Sequence, residues 1–190
     1  MRIVLLGAPG SGKGTQAKVL SEHYGIRHIG VGDVLRQAVR DGSAVGQQIG
    51  EQLTRGDLVG DDVVLGVVWP LIVESARNGG YVLDGFPRTL QQAEMAYAAA
   101  ERDGIGADAV VYLEAKREVL LQRTLARAGD RSDDVASVIE HRLRVFEERT
   151  HPLVEFYGSR GLLVAVDADR PVAVVSDEII ASLDARVTTP

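Results

Sequence analysis

The chain has 190 residues, of which 45% are hydrophobic and 25% charged, which is the composition of an ordinary globular protein with one core. Its 21 basic and 27 acidic side chains give a net charge of -6, so we do not expect a nucleic-acid partner. The absence of cysteine excludes disulfide bonds and zinc–thiolate sites, predicts no zinc, and fits a reducing cytoplasm.

Five short apolar runs bounded by glycine or aspartate predict buried β-strands, and segments with helical spacing lie between them. This alternation predicts an α/β fold, a three-layer α/β/α arrangement around a five-stranded parallel sheet. The predicted strands cover residues 3–6, 28–29, 81–83, 109–113 and 162–166. Near the C-terminus, steps of three and four residues place Val172, Val175, Ile179 and Leu183 on one helical face.

A glycine-rich loop with the sequence GAPGSGKGT follows the first strand at residues 7–15, and a helix is predicted from Gln16 onward. Phosphate binding requires inward-pointing backbone N–H groups, a helix N-terminus and a lysine that reaches the outer phosphates. The loop meets all three requirements with Lys13, although its hydroxyl residue, Thr15, comes two positions after the lysine instead of one. The structural alternative is a glycine-rich turn with a solvated lysine.

The connection from the second to the third strand, residues 30–80, is long enough for two or three helical stretches and predicts a small helical insertion. The third strand is followed by Asp84, Gly85, Phe86, Pro87 and Arg88. Ligands of open α/β sheets bind beyond the carboxyl ends of the strands, so Asp84 is a candidate for the magnesium side of a phosphate site. The structural alternative for Asp84 is a helix cap.

Several arginines in the second half of the chain are candidate phosphate ligands. Arg123 and Arg127 are one helical turn apart, and Arg131 follows in a polar loop at residues 128–134. Arg142 falls on the apolar face of a helix predicted over residues 135–146, where a guanidinium group needs an anion. These four side chains can converge on phosphates, whereas Arg123 alone is equally compatible with solvated surface.

Two observations bear on location. The longest apolar stretch without a charge, residues 63–73, is too short to cross a bilayer and contains Pro70. The N-terminal apolar run, residues 3–6, is too brief for a signal peptide. We therefore expect a cytoplasmic protein with no membrane partner.

These motifs together resemble the adenylate kinases, specifically the bacterial forms with a short lid. The resemblance covers nearly the whole length and rests on KGTQ at residues 13–16, GDVLR at 32–36, DLV at 57–59, DGFPR at 84–88, Gln92, RSDD at 131–134 and Arg142. It implies one P-loop kinase domain over residues 1–190, with a monophosphate-binding insertion at 30–59 and a lid at 126–134. It also implies a monomer.

The resemblance implies reversible phosphoryl transfer from ATP to AMP, with Mg²⁺ bound to ATP beside Asp84 and Thr15, mainly through water. The ATP contacts would be Gly10, Ser11, Gly12, Lys13, Gly14, Thr15, Arg123, Arg127 and Arg170. The AMP contacts would be Val31, Arg36, Asp57, Leu58, Val59, Gly85, Phe86, Pro87, Arg88, Gln92, Arg131 and Arg142, with Gln92 reading the adenine. The catalytic side chains would be Lys13, Arg88, Arg127, Arg131 and Arg142.

The chain departs from the family pattern at the expected base site, because Gly30 and Val31 stand where the family usually has serine and threonine. An alternative function is therefore a UMP/CMP kinase, although that family tends to carry asparagine in place of Gln92. A second alternative, from a different class, is a nucleotide-binding paralogue that turns over poorly.

Overall fold

The computed structural model describes residues 1–126 and 136–187. Five strands form one sheet in the order β2-β3-β1-β4-β5, and every neighbouring pair is parallel. The strands are β1 (Arg2–Gly7), β2 (Arg27–Gly30), β3 (Tyr81–Asp84), β4 (Ala109–Glu114) and β5 (Leu163–Asp167). The predicted α/β class with a five-stranded parallel sheet is thus confirmed.

The helices of the described ranges occupy the connections between strands and the end of the chain. They are α1 (Lys13–Tyr24), α2 (Val31–Arg40), α3 (Ala44–Arg55), α4 (Asp61–Arg77), α5 (Leu90–Asp103), α6 (Arg117–Ala126), α7 (Ala136–Val145), α8 (Leu153–Gly158) and α9 (Val172–Val187). A π-helical segment, Phe146–Thr150, continues α7. The prediction that the first helix starts at Gln16 was wrong, because α1 already begins at Lys13, directly after Gly12.

The sheet separates two apolar cores, instead of the single core expected from the composition, because alternate residues of a strand point to opposite faces. In β1, Val4 and Leu6 belong to the core shared with α4 and α8, whereas Ile3 and Leu5 belong to the core shared with α1 and α9. All four side chains are buried. Helices therefore cover the sheet on both sides, which is the predicted three-layer arrangement.

Three helices, α2, α3 and α4, fill the connection between β2 and β3. The helices α2 and α3 lie so close together that a Cβ on Gly46 would be 2.0 Å from the carbonyl oxygen of Ala38. They therefore form a tight pair, and residues 56–60 lead from this pair to α4.

The predicted apolar face of α9 is buried at Val175, Ile179 and Leu183, but Val172 is 52% exposed. Val172 is the first residue of the helix and lines a cleft instead of the core. Throughout residues 1–126 and 136–187, no helix combines the length and the apolar character needed to span a membrane. Most of the predicted lid at 126–134 lies outside the described residues.

Candidate active site

The site lies at the carboxyl edge of the sheet, where the strand order reverses around β1. Leu5 of β1 pairs with Asp84 of β3, so the loop after β1 and the end of β3 meet at one place. A cleft of about 770 Å³ opens there, a volume typical of ligand sites. Its walls come from residues 9–16, from the end of β3, and from arginines on four other segments.

Gly10 allows the loop after β1 to lie directly against α6. Its φ is +87°, and a Cβ there would be 2.6 Å from both the carbonyl oxygen of Leu120 and Oγ1 of Thr124. A side chain would therefore clash with protein backbone, in addition to the strain of the left-handed conformation. Gly10 thus allows close contact between the loop and α6, in addition to the close approach of phosphates that the sequence predicted.

The side chain of Lys13 folds over the loop that it follows. Its Nζ donates hydrogen bonds to the carbonyl oxygens of Gly7 and Ala8, at 2.8 and 3.0 Å. Gly12 caps the helix in the left-handed conformation, so the N-terminus of α1 faces the cleft. A positive helix end and an ammonium group at one loop form a site for an anion.

Asp84 ends β3 beside the start of α1. A Cβ on Gly14 would lie 3.6 Å from Oδ2 of Asp84, which shows how near the carboxylate is to the loop. Asp84 and Thr15 both line the cleft and supply a carboxylate and a hydroxyl oxygen. Such hard oxygen ligands beside a phosphate site fit Mg²⁺, which is usually bound through one or two carboxylates plus substrate phosphates and water. In the described ranges, no group of three or more histidine or acidic residues is arranged so that it could hold a metal ion by itself.

Three of the predicted phosphate-binding arginines, Arg36, Arg88 and Arg142, converge on one region. All three line the large cleft and also a second, small cavity of about 40 Å³. Nη2 of Arg36 pairs with Oδ1 of Asp33 at 2.6 Å, and Nε of Arg88 donates to the carbonyl oxygen of Gly85 at 2.8 Å. These bonds hold the two guanidinium groups at the boundary between the two cavities.

Arg142 is positioned by contact with Gly56. A Cβ on Gly56, whose φ is +77°, would lie 2.8 Å from Cγ of Arg142 and 2.9 Å from Cγ1 of Val138. The stem of Arg142 therefore rests on the backbone that follows α3. The side chain is half-buried, as the helical-face argument indicated, and it faces the cavities.

The small cavity gathers most of the predicted AMP contacts. Its lining includes Val31, Arg36, Asp57, Leu58, Val59, Gly85, Arg88, Gln92 and Arg142. Two further candidates are not among its lining residues, since Phe86 is buried in the core and Pro87 lines another cavity. The structure therefore brings together residues that are up to about a hundred positions apart in the sequence.

Gln92 is 97% buried, and both ends of its amide are bonded. Nε2 donates to Oδ1 of Asp61 at 2.7 Å, and Oε1 accepts from the backbone N–H of Arg88 at 2.7 Å. Asp61 also accepts a hydrogen bond from Oγ1 of Thr89 at 3.2 Å. Asp61 and Thr89 were not predicted from the sequence, because a hydrogen bond between two helices leaves no pattern in the sequence.

Arg123 and Arg170 line the opposite end of the large cleft. Nη1 of Arg123 donates to the carbonyl oxygen of Ala168 at 2.8 Å, while Arg170 bonds the carbonyl oxygen of Asp167 and pairs with Glu178. Arg123 is therefore held at the cleft, and the solvated-surface alternative for it is not favoured. The predicted positions Arg127 and Arg131 lie outside the described residues.

Asp57 connects the end of α3 to α7. Its Oδ1 lies 2.8 Å from Nε2 of His141, and its Oδ2 lies 3.0 Å from Nε of Arg55. Hydrogen bonds from His141 and Arg55 hold the pKa of the Asp57 carboxyl below its ordinary value. The sequence predicted Asp57 as a site residue but gave no indication of its partner, His141.

The fold and the cleft define a P-loop phosphotransferase whose cleft is lined by several arginines. A family model described as Adenylate kinase matches residues 5–162. The adenylate kinase of Synechococcus sp. (strain WH7803) is 45% identical over 183 residues, which cover 96% of this chain and 98% of that protein. The chain belongs to the adenylate kinase family.

Two further adenylate kinases are similar to this chain over nearly its whole length. The adenylate kinase of Parvibaculum lavamentivorans is 42% identical over 184 residues, covering 94% of this chain and 90% of that protein. That of Thermobifida fusca is 39% identical over 188 residues, covering 98% of this chain and 100% of that protein. The predicted family and enzyme class, nucleoside monophosphate kinase, are confirmed, and the UMP/CMP kinase alternative is not the better supported one.

Proposed function

We propose that this chain catalyses reversible, magnesium-dependent phosphoryl transfer from ATP to AMP, giving two molecules of ADP. The observation that carries this proposal is the position of Arg36, Arg88 and Arg142, which line both the P-loop cleft and the small cavity. Cationic groups between two neighbouring sites suit a reaction in which a phosphoryl group passes from one bound phosphate to another. The adenylate kinase relatives support the choice of ATP and AMP.

The chemistry needs positioning and charge neutralisation and no general base, because the acceptor is already an ionised phosphate. The backbone of residues 10–15 and the N-terminus of α1 would bind the ATP phosphates, and Lys13 would neutralise charge on the transferred group. Arg88 and Arg142 would orient the acceptor phosphate, with Arg36 beside it. The predicted roles of Arg127 and Arg131 complete this set.

Asp84 and Thr15 would hold Mg²⁺ beside the P-loop, mainly through water. The ion, bound with ATP, neutralises charge on the phosphates. Asp84 suits this task because its carboxylate lies near Gly14, at the end of a strand that is fixed by β1 and β2.

The base of AMP would enter the small cavity, where Gln92, Val31 and the backbone of residues 57–59 line the walls. A cavity of about 40 Å³ is far below the roughly 300 Å³ of a ligand pocket. Entry of a purine therefore requires the insertion at 30–59 to move away from the core. Closure of this insertion and of the lid at 126–134 would then exclude water and prevent ATP hydrolysis.

We infer in addition that the protein acts as a monomer in the cytoplasm. The sequence features behind this are the ordinary globular composition, the lack of cysteine and the resemblance to short-lid bacterial enzymes.

The test is a nucleotide balance. The protein is incubated with ATP, AMP and Mg²⁺, and ATP, ADP, AMP and inorganic phosphate are quantified by chromatography over time. We expect two ADP for each AMP consumed, formation of ATP and AMP from ADP alone, and loss of turnover with excess EDTA. Formation of one ADP and one phosphate per ATP without consumption of AMP, or nucleotide binding without turnover, would instead support the poorly active paralogue.

A further inference from the structure

The amide of Gln92 has one possible orientation because each of its partners bonds in only one sense. The carboxylate of Asp61 only accepts hydrogen bonds, so the group that faces it must be the NH₂ of Gln92. The backbone N–H of Arg88 only donates, so the group that faces it must be the amide oxygen. A flipped amide would set oxygen against carboxylate and NH₂ against N–H.

Each end of the Gln92 amide can form one further hydrogen bond. The NH₂ group has a second hydrogen, and the oxygen has a second lone pair. Gln92 lines the small cavity, so this N–H and this lone pair can form hydrogen bonds with a base that enters the cavity. The order of donor and acceptor presented to the base is then set by the orientation of the amide.

This order distinguishes two classes of purine. A 6-aminopurine has a donor at position 6 and an acceptor at N1, whereas a 6-oxopurine has an acceptor at position 6 and a donor at N1. One orientation of the glutamine amide pairs with position 6 and N1 of a 6-aminopurine. Only the flipped amide pairs with the same two positions of a 6-oxopurine. An amide that cannot flip therefore discriminates against one of the two purine classes, because a purine of that class leaves buried polar groups without hydrogen bonds.

We propose that Asp61 is a positioning residue that sets the discrimination between 6-amino and 6-oxopurine monophosphates by preventing Gln92 from flipping. The proposal rests on the proposed function, in which the base of the monophosphate meets Gln92. In the described part of the chain, Asp61 is not among the residues that line the small cavity, so it acts through Gln92.

The surroundings of Asp61 explain why it is itself fixed. It is the first residue of α4, and Oδ1 accepts from Oγ1 of Thr89 as well as from Gln92. Thr89 is the N-cap of α5, where its Oγ1 accepts from the backbone N–H of Gln92 at 3.0 Å. The carboxylate therefore joins the N-termini of two helices and is held where it controls the amide.

The test compares the ratio of kcat/KM for AMP to kcat/KM for inosine 5′-monophosphate in wild type, Asp61→Asn, Asp61→Ala and Asp62→Asn. An asparagine at position 61 can donate to a flipped Gln92, and an alanine there removes the partner altogether. Asp62 is the exposed next residue of the same helix, so Asp62→Asn is a control for the loss of one charge at the helix N-terminus. The ratio does not depend on the active fraction, so partial unfolding of a variant does not obscure it.

We expect both Asp61 variants to lower the AMP preference about tenfold, the effect of one charge-assisted hydrogen bond, and Asp62→Asn to leave it unchanged. In a Gln92→Ala background, Asp61→Asn should have no further effect on the ratio. An unchanged ratio in both Asp61 variants, an equal change in Asp62→Asn, or an undiminished effect without Gln92 would overturn the proposal. Wild-type protein that fails to phosphorylate AMP would instead contradict the proposed function.

Discussion

His141 donates a hydrogen bond from Nε2 to Oδ1 of Asp57 across 2.8 Å, although the two residues are 84 positions apart. The direction follows from Arg144, whose Nη2 lies 3.0 Å from Nδ1 of His141. Arginine only donates, so Nδ1 is the acceptor and Nε2 carries the proton. The bond joins the segment after α3 to α7, one residue from Arg142, and so connects the proposed base site with a proposed phosphate ligand.

The lowered pKa of Asp57 predicts a pH-dependent contribution to stability. A carboxyl whose pKa is lower in the folded than in the unfolded protein stabilises the fold above its unfolded pKa, and this contribution is lost as pH falls through the folded pKa. Because the side chain is 36% exposed, screening keeps the effect small. We expect Asp57→Asn to lower Tm by about 1–4 °C near pH 6.

The measurement is Tm by calorimetry for wild type, Asp57→Asn and the exposed-site control Asp177→Asn. The Tm difference between wild type and Asp57→Asn should shrink toward zero as pH falls below the ordinary pKa of an aspartate carboxyl, because the wild-type carboxyl then becomes protonated. A difference that stays constant from about pH 6 to pH 3 would show that ionisation of Asp57 does not contribute.

Lys13 should matter for turnover far more than for folding. We expect Lys13→Ala to lower kcat about a hundredfold or more, because loss of one preorganised charge typically removes ~3 kcal/mol of transition-state stabilisation. The control is Lys116→Ala, since the Lys116 side chain is 80% exposed. Steady-state kinetics and Tm are measured on both variants, and a folded Lys13→Ala enzyme with near-normal kcat would refute the charge-neutralisation role.

Val31→Thr tests the base site. Val31 is only 1% exposed and lines the small cavity, so a hydroxyl there has little access to water. We expect a stability loss of about 1 kcal/mol without nucleotide and, with AMP bound, one added hydrogen bond that lowers KM for AMP roughly two- to tenfold. The base is remote from the reacting phosphorus, so kcat should change little.

The matched control for this substitution is Val34→Thr, three residues further along α2. Its KM for AMP should equal the wild-type value, and CMP serves as the comparison substrate for both variants. An unchanged or higher KM for AMP in Val31→Thr would mean that the base is read elsewhere.

Two loop glycines should differ in their tolerance of alanine. Gly10 and Gly12 both have positive φ, which costs an alanine about 1–2 kcal/mol. A Cβ on Gly10 would also be 2.6 Å from the Leu120 carbonyl oxygen, whereas a Cβ on Gly12 would meet nothing within 4 Å in the described structure. Gly10→Ala should therefore lose about 1–3 kcal/mol more stability in urea titrations than Gly12→Ala. Equal losses would exclude the steric role of α6.

Local sequence patterns predicted the parts of this molecule that depend on local rules. The apolar run of β1 and the glycine-rich loop after it are both short-range features, and each appears in the structure near the predicted position. The start of α1 was predicted too late, since glycines at positions 12 and 14 have low helix propensity. The loop geometry overrides this propensity by capping the helix at Gly12.

Contacts between distant elements could not be predicted in this way. Asp61 and Gln92 are 31 residues apart and meet only because α4 and α5 begin side by side. Asp57 and His141 lie on elements whose relative position depends on the whole fold. The sequence therefore predicted many of the residues that line the two cavities, but not the hydrogen bonds that orient them.

The most direct test of the central proposal is a panel of monophosphate acceptors. Initial rates are measured with ATP, Mg²⁺ and each of AMP, dAMP, GMP, CMP and UMP, and kcat/KM is compared across the panel. We expect the highest kcat/KM for the adenine nucleotides AMP and dAMP, because the fixed donor and acceptor of Gln92 do not pair with the oxo edges of GMP and UMP. The adenylate kinase relatives support AMP over CMP. A higher kcat/KM for CMP or UMP than for AMP would contradict the proposal.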